Sequence, residues 1–515
     1  MIYNVLEMLE KDVRERPGAV AFGDPDGVIT YGELKKKADA AATFLIPKLH
    51  AAGGRTVTHG CEPVAFYLEK SCTAMAGMLG AVSARGFYSV LDPRQPSVRT
   101  EKILETLSPK VLLTDEANEE KARALQFSGE IFRLDALFST APDEELLAAV
   151  RAEALDTDPL YVNFTSGSTG LPKGVAVCHR SVIEFIDHFT RIFGIREDDI
   201  LANQAPFDFD VSVKDIYSGL MAGARVQLIP REYFSSPTVL MDYLSVKKAT
   251  VLIWAVSAMC FVSIMNGLDY RTPETVRLVM FSGEVMPVKQ LKIWQKYLPD
   301  AVYVNLYGPT EITCNCTYYI LDRAFEGTDV IPAGRPFPNE KVFLLGDDDR
   351  EVTEKEQQGE ICVCGTCLAL GYYRDAERTA AAFMPNPLNH DFTEMMYRTG
   401  DIGKYDADGL LIYVSRKDFQ IKHLGHRIEL GEIENNAMAA EGVSRACCLY
   451  DADRKRLLLF YTGGRDKTEL MHELRTTLPQ FMLPNALYPL EEMPMTKNGK
   501  IDRKQLEEAY KAGRH

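Results

Sequence analysis

The sequence predicts an α/β protein: a large N-terminal domain of parallel-sheet α/β subdomains plus a small β-rich subdomain, followed by a mobile α+β C-terminal domain. Three observations carry this. At 515 residues the chain is too long for one hydrophobic core. Short apolar runs alternate with helical patterns over the first two thirds, as covered parallel sheets require. From about Ile331 the texture changes to short strands with tight turns, and a compact α+β stretch closes the chain.

The elements follow in order. Residues 1–12 are amphipathic and lack a basic leader, so they read as a first helix and not a signal peptide. Residues 33–45 carry apolar side chains at helical spacing, and 90–96 read as a strand end braked by prolines. Further buried strands are expected at 111–115, 160–164, 226–230, 251–254 and 278–281. The β-rich part contributes strands at 341–345, 359–363 and 410–414. A boundary is expected within 416–419, dividing the chain into 1–416 and 417–515. No 20–50-residue repeat and no low-complexity segment is present.

Composition narrows the function. Hydrophobic content of 46% and charged content of 25% are ordinary for a globular protein. A net charge of −15 repels phosphate backbones and argues against nucleic-acid binding. No apolar run approaches the roughly 18 residues of a membrane span, and a cytoplasmic location is expected. The 11 cysteines are then expected to be thiols. Cys362, Cys364 and Cys367 have a metal-like spacing, but the flanking text alternates like a strand and no second ligand pair lies nearby. Cys447 and Cys448 read as core thiols.

The densest chemical signal is Thr165-Ser166-Gly167-Ser168-Thr169-Gly170-Leu171-Pro172-Lys173-Gly174, directly after a strand. Glycines let backbone N–H groups approach a ligand, hydroxyls add donors, and the lysine adds positive charge, which makes a phosphate cradle. It is neither a Walker A loop nor a nucleophile elbow. Asn305-Leu306-Tyr307-Gly308-Pro309-Thr310-Glu311 supplies an amide and a ring for a base and a carboxylate for a divalent cation. Asp401, after a Gly turn, suits ribose hydroxyls, and Asp210 suits a substrate ammonium. Residues 416–422 read as a hinge or a solvated linker. Residues 425–434 open at a Gly turn and run into a helix whose acids are expected to face solvent. Lys500 follows an Asn-Gly turn. Taken singly, each of these segments has a bland reading as a turn, cap or surface charge.

Together, in this order, they resemble the adenylate-forming superfamily of acyl-CoA synthetases, luciferases and nonribosomal peptide synthetase adenylation domains. The likeness runs from Ile29-Thr30-Tyr31-Gly32-Glu33-Leu34 to Asn498-Gly499-Lys500-Ile501-Asp502-Arg503. Residues 203–217, 281–287 and 418–422 resemble D-alanine–carrier-protein ligases most. The resemblance implies ATP and Mg²⁺ as cofactors, and a reaction in two halves. A carboxylate and ATP give an acyl adenylate and pyrophosphate; the acyl group then passes to a phosphopantetheine thiol.

By motif match, Thr165, Ser166, Gly167, Ser168, Thr169, Gly170 and Lys173 would hold phosphates. Asn305 and Tyr307 would contact adenine, Asp401 the ribose with Arg416 near it, and Thr310 and Glu311 the metal. Lys500 would stabilise charge developing between the carboxylate and the α-phosphate. Asp418 would be the hinge about which the C-terminal domain turns between half-reactions.

Asp210 matches the carboxylate that pairs with an amino-acid ammonium, which favours an amino acid over a fatty or aryl acid. Lys214, Ser282, Gly283, Leu306, Cys314 and Asn315 fall at substrate-binding positions. Two depart from the D-alanine ligases: Lys214 replaces an apolar residue and Ser282 a cysteine. A buried lysine needs a partner; a substrate carboxylate would serve, and so would a protein acid such as Asp208. The expected substrate is an acidic amino acid or D-alanine, and the expected partner a phosphopantetheinylated carrier protein. That carrier acts in trans or belongs to a larger synthetase. An acyl-CoA or aryl-CoA synthetase is the alternative.

Overall fold

The protein is described by a computed structural model covering residues 2–50, 60–167, 171–327, 329–417, 420–495 and 501–513. The helix Tyr31–Leu49 shows how local sequence sets the elements. Thr30 accepts from the Glu33 N–H while the Glu33 side chain returns to the Thr30 N–H, a reciprocal cap. Small apolar residues Ala38, Ala41 and Ala42 then let the helix Cys72–Ser83 approach closely.

Two large sheets form the N-terminal part. One has seven strands, with Pro159–Thr165 between Gly86–Leu91 and Lys173–Cys178. The other has nine, and its strands Val302–Tyr307, Leu278–Ser282, Val251–Ala255, Ile200–Asn203 and Arg225–Leu228 run parallel. Helices His179–Phe193 and Ser212–Ala222 pack on each other, and one core runs through both sheets. The hydroxyls of Tyr88 and Tyr217 meet at 3.0 Å inside it. Parallel strands place their loops at the carboxyl edge, where open α/β sheets bind ligands. Asn203, Ser282 and Tyr307 all end strands at that edge.

A five-stranded sheet follows, built on the long strand Met395–Tyr405. Its register sets Asp401 directly opposite Arg416. Cys362 and Cys364 lie on its strand Gln358–Gly365, buried with Phe343, Leu345 and Met396.

The C-terminal domain is a small α+β unit. It comprises the hairpin Gln420–His423 and His426–Glu429, then the sheet Val443–Asp451, Arg456–Gly463 and Ala486–Leu490. Helices Leu430–Ala439, Lys467–Thr477 and Arg503–Lys511 accompany it. Its apolar side chains, among them Ile428, Ile433, Cys448 and Leu459, form a core of their own. Among the described residues, no helix is long and apolar enough to cross a membrane.

Candidate functional site

The site is built on Glu311, which is completely buried in the short helix Thr310–Ile312 after the strand Val302–Tyr307. Lys173 donates to its Oε1 at 3.1 Å and the Tyr372 hydroxyl to the same atom at 2.8 Å. Arg427 Nη1 donates to Oε2 at 2.8 Å. Burial alone would raise the Glu311 carboxyl, but Arg427 and Lys173 hold it well below the usual range. The turn leading here needs a glycine: a Cβ at Gly308 would lie 2.5 Å from the Asn315 Cα.

Lys173 begins the strand Lys173–Cys178, which pairs antiparallel with Pro159–Thr165. Thr165 Oγ1 is buried there without a partner among the described residues. A buried hydroxyl with no partner fits a ligand oxygen. Ser168, Thr169 and Gly170 lie outside the described residues.

Tyr307 and Arg416 converge on Asp401. The tyrosine hydroxyl donates to Oδ2 at 2.6 Å and the guanidinium to Oδ1 at 2.8 Å. Asn305 Nδ2 donates to the Pro332 carbonyl at 2.7 Å, which fixes the orientation of its amide.

Asp210 precedes the helix Ser212–Ala222 and Lys214 lies in its first turn. Burial raises the Asp210 carboxyl. Lys214 is 0% exposed; its Nζ donates to Asn315 Oδ1 at 2.6 Å and Ser282 Oγ at 3.4 Å. It makes no ion pair with Asp208, which instead accepts from Gln95 Nε2 at 3.4 Å. An ammonium has three donors, and two find partners among the described residues. Leu306 and Cys314 are buried nearby in sequence, and Cys314 Sγ donates to the Asp210 carbonyl at 3.0 Å. Thr313 and Cys314 both have positive φ, 55° and 76°. Gly283, at φ 93°, turns the chain after Ser282.

A cavity of about 880 Å³ lies beside these groups, lined by Thr165, Ser166, Phe209 and Thr310 together with His426 and Phe481. The His426 ring stacks on Phe481 with centroids 3.8 Å apart. Burial lowers the His426 imidazole to about 4, so it is neutral at pH 7.

The sequence reading is corrected at one point. The acids of 425–434 do not face solvent: Glu429 is 6% exposed and Glu432 1%. Glu432 pairs with Arg99 of the N-terminal part and accepts from the Gly167 N–H at 3.3 Å. The start of the helix Leu430–Ala439 packs against Gly167 and Arg99, and that buries Glu432. Sequence reasoning also missed Arg99, Tyr372, Arg427 and Glu284. Glu284 accepts from the Gly425 N–H at 2.6 Å and from Lys455 at 2.8 Å. Local sequence carries no signal for partners 61 to 333 residues away. Lys500 and Asp418 lie outside the described residues.

A buried carboxylate between two cations, with a buried unpartnered hydroxyl at Thr165, suits an anionic ligand such as a nucleotide phosphate. The comparisons agree: residues 9–373 match the AMP-binding enzyme family. The chain belongs to that family. It is 29% identical to tyrocidine synthase 1 of Brevibacillus parabrevis over 513 residues, covering 98% of this chain and 45% of that one. It is 28% identical to the four-domain nonribosomal peptide synthetase holo-AB3403, solved with AMP and glycine. There the TM-score is 0.70, covering 97% of this chain and 36% of that one. Holo-PA1221, which contains adenylation and PCP domains, shares the fold at 24% identity and TM-score 0.79, covering 98% and 84%. The chain thus spans less than half of the synthase and of the four-domain synthetase it resembles.

Proposed function

We propose that this protein adenylates an amino acid with an acidic side chain and passes it to the phosphopantetheine thiol of a carrier protein. The observation that carries the substrate class is Lys214: a fully buried ammonium, four residues from Asp210, with one donor unspent on described residues. Asp210 takes the α-ammonium and Lys214 the side-chain carboxylate, so each buried charge gains its opposite. Ser282, Gly283, Leu306, Cys314 and Asn315 shape the rest of the pocket. Thr165, Ser166, Gly167 and Lys173 hold phosphates, Asn305 and Tyr307 the adenine, and Asp401 with Arg416 the ribose. Lys500 stabilises charge at the α-phosphate, and Asp418 is the hinge between units 1–416 and 417–515.

Among the described residues no group of three or more His, Cys, Asp or Glu is gathered for a protein-only metal cage. Glu311 beside Thr310 suits Mg²⁺, which is commonly held by one or two carboxylates plus substrate phosphates. Bound there, Mg²⁺ neutralises phosphate charge. The carrier reading draws on the relatives that join adenylation domains to PCP domains or to larger synthetases.

The test is acid-dependent ATP–pyrophosphate exchange across proteinogenic amino acids, D-alanine, D-glutamate and several fatty and aryl acids. Exchange with aspartate or glutamate is expected, and Asp210→Ala is expected to lower it at least a hundredfold. Exchange with D-alanine alone would reduce Lys214 to a structural residue. Exchange with fatty or aryl acids that survives Asp210→Ala would make this an acyl-CoA synthetase.

A further inference from the structure

Lys70 lies between the strand Glu62–Tyr67 of the seven-stranded sheet and the helix Cys72–Ser83. Its ammonium crosses to the nine-stranded sheet and meets four oxygens where the strand Ile200–Asn203 ends. It donates to Asn203 O at 3.0 Å, Asn203 Oδ1 at 2.9 Å, Gln204 O at 2.8 Å and Ala205 O at 3.2 Å. Three N–H donors shared among four acceptors leave none for a ligand. An ammonium only donates, so the Asn203 amide must turn its oxygen to Lys70 and its NH2 group away. That NH2 group donates to Asp215 Oδ2 at 2.9 Å. Asn203 and Asp215 are both completely buried. Asp215 follows Lys214 in the helix Ser212–Ala222, where adjacent residues do not face each other. The Lys214 ammonium turns to Asn315 and Ser282, and Asp215 turns to Asn203. Burial raises the Asp215 carboxyl and lowers the Lys70 ammonium, and each charge opposes the other's shift.

We propose that Lys70 is a positioning residue for substrate selectivity: through Asn203 it balances the charge of Asp215 and so leaves Lys214 free to read a substrate carboxylate. The inference rests on the acidic-substrate reading of Lys214. Around the pocket two carboxyls, Asp210 and Asp215, stand against two amines, Lys70 and Lys214. Without Lys70 the charge of Asp215 is uncompensated. It then serves as a standing counter-charge to Lys214 and repels a substrate carboxylate that approaches the same ammonium. Buried charges feel each other over several ångströms because little solvent screens them. Asn203 suits the link, since its amide dipole sets oxygen towards the cation and NH2 towards the anion, and the charges at its two ends strengthen both bonds. The same ammonium pins the main chain at 203–205, just ahead of the segment that carries Asp210.

The experiment is ATP–pyrophosphate exchange with glutamate against glutamine and aspartate against asparagine, each pair nearly equal in shape and different in charge. The full chain is compared with Lys70→Met, Lys70→Arg, Asp215→Asn and the double variant Lys70→Met/Asp215→Asn. Lys70→Met is expected to lower the preference for acid over amide at least tenfold, through KM for the amino acid and not KM for ATP. Lys70→Arg, which keeps the charge, is expected to hold the preference within threefold of wild type. The double variant is expected to recover it to within threefold, because both members of the balanced pair are gone. A double variant no better than Lys70→Met would make Lys70 a brace for the strand end and overturn the inference. Wild-type preference in Lys70→Met overturns it as well. If Lys70→Met does not fold, Asp215→Asn decides alone. Removing the acid that opposes the substrate is expected to lower KM for the acidic amino acid at least threefold, and an unchanged or higher KM overturns the inference. A wild type that exchanges with no acidic amino acid removes the acidic-substrate reading and this inference together. A wild type that prefers the acid while the variants fail these expectations removes this inference only.

Discussion

Replacing Lys214 by methionine is the sharpest probe of the substrate pocket. Methionine keeps the unbranched shape and removes the charge. In the structure the ammonium is fully buried and held by two neutral groups, Asn315 Oδ1 and Ser282 Oγ. An acidic substrate entering the variant would leave its side-chain carboxylate buried without a partner. Removing one member of a buried pair costs about 3–5 kcal/mol. At 1.36 kcal/mol per decade this is a loss of roughly two to three and a half decades in kcat/KM. Folding should suffer little, because burial already opposes the lysine's charge and pushes its ammonium pKa down. Two lost hydrogen bonds of about 1 kcal/mol each offset the relief. Exchange assays with glutamate, aspartate, leucine and methionine give the readout. The acidic substrates are expected to collapse and the apolar ones to rise. Glutamate and aspartate within threefold of wild type, with a normally folded variant, would refute the ion pair.

Two further predictions follow from the same structure. Lys500→Ala is expected to abolish most adenylation while ATP binding, measured by calorimetry, stays close to wild type; near-normal exchange would discard that role. His426 is neutral in the fold, with its imidazole lowered from 6.5 to about 4 by burial. The unfolded chain binds more protons than the native one between those values, so stability falls as pH drops from about 6.5 to about 4, by up to about 3 kcal/mol. His426→Phe, which preserves the stack on Phe481, is expected to flatten this decline in thermal melts at stepped pH. An unchanged slope would assign the acid sensitivity to other groups.

Much of the fold was legible because its signals are local. The run Leu160 to Phe164 is apolar and stops at a Gly/Ser/Thr cluster, and the structure makes it the strand Pro159–Thr165. Residues 33–45 have helical spacing and lie within Tyr31–Leu49. What stayed hidden depends on partners far along the chain. Glu432 looks like a solvated helix acid until Arg99, 333 residues away, is set against it. Arg427 looks like one charge in a basic turn, and only the docked hairpin brings it to Glu311. Burial was misjudged there because the helix Leu430–Ala439 has two faces to cover, one on its own sheet and one on Gly167 and Arg99.

The two successive left-handed residues Thr313 and Cys314 also limit how this pocket can be reprogrammed. Side chains other than glycine, asparagine and aspartate are strained in that region. Here the strain is held by the Thr313 hydroxyl on the Cys367 carbonyl at 2.7 Å and by Cys314 Sγ on the Asp210 carbonyl. A β-branched or aromatic residue at 314, chosen to accept a different substrate, would shift the loop and with it the bond that orients Asp210. On the proposed role of Asp210, a change in side-chain preference would then arrive with weaker recognition of the ammonium that every amino acid shares. Substitutions at 282 and 306, which sit on regular strands, escape that coupling and are the positions where selectivity can be redirected at least cost to turnover.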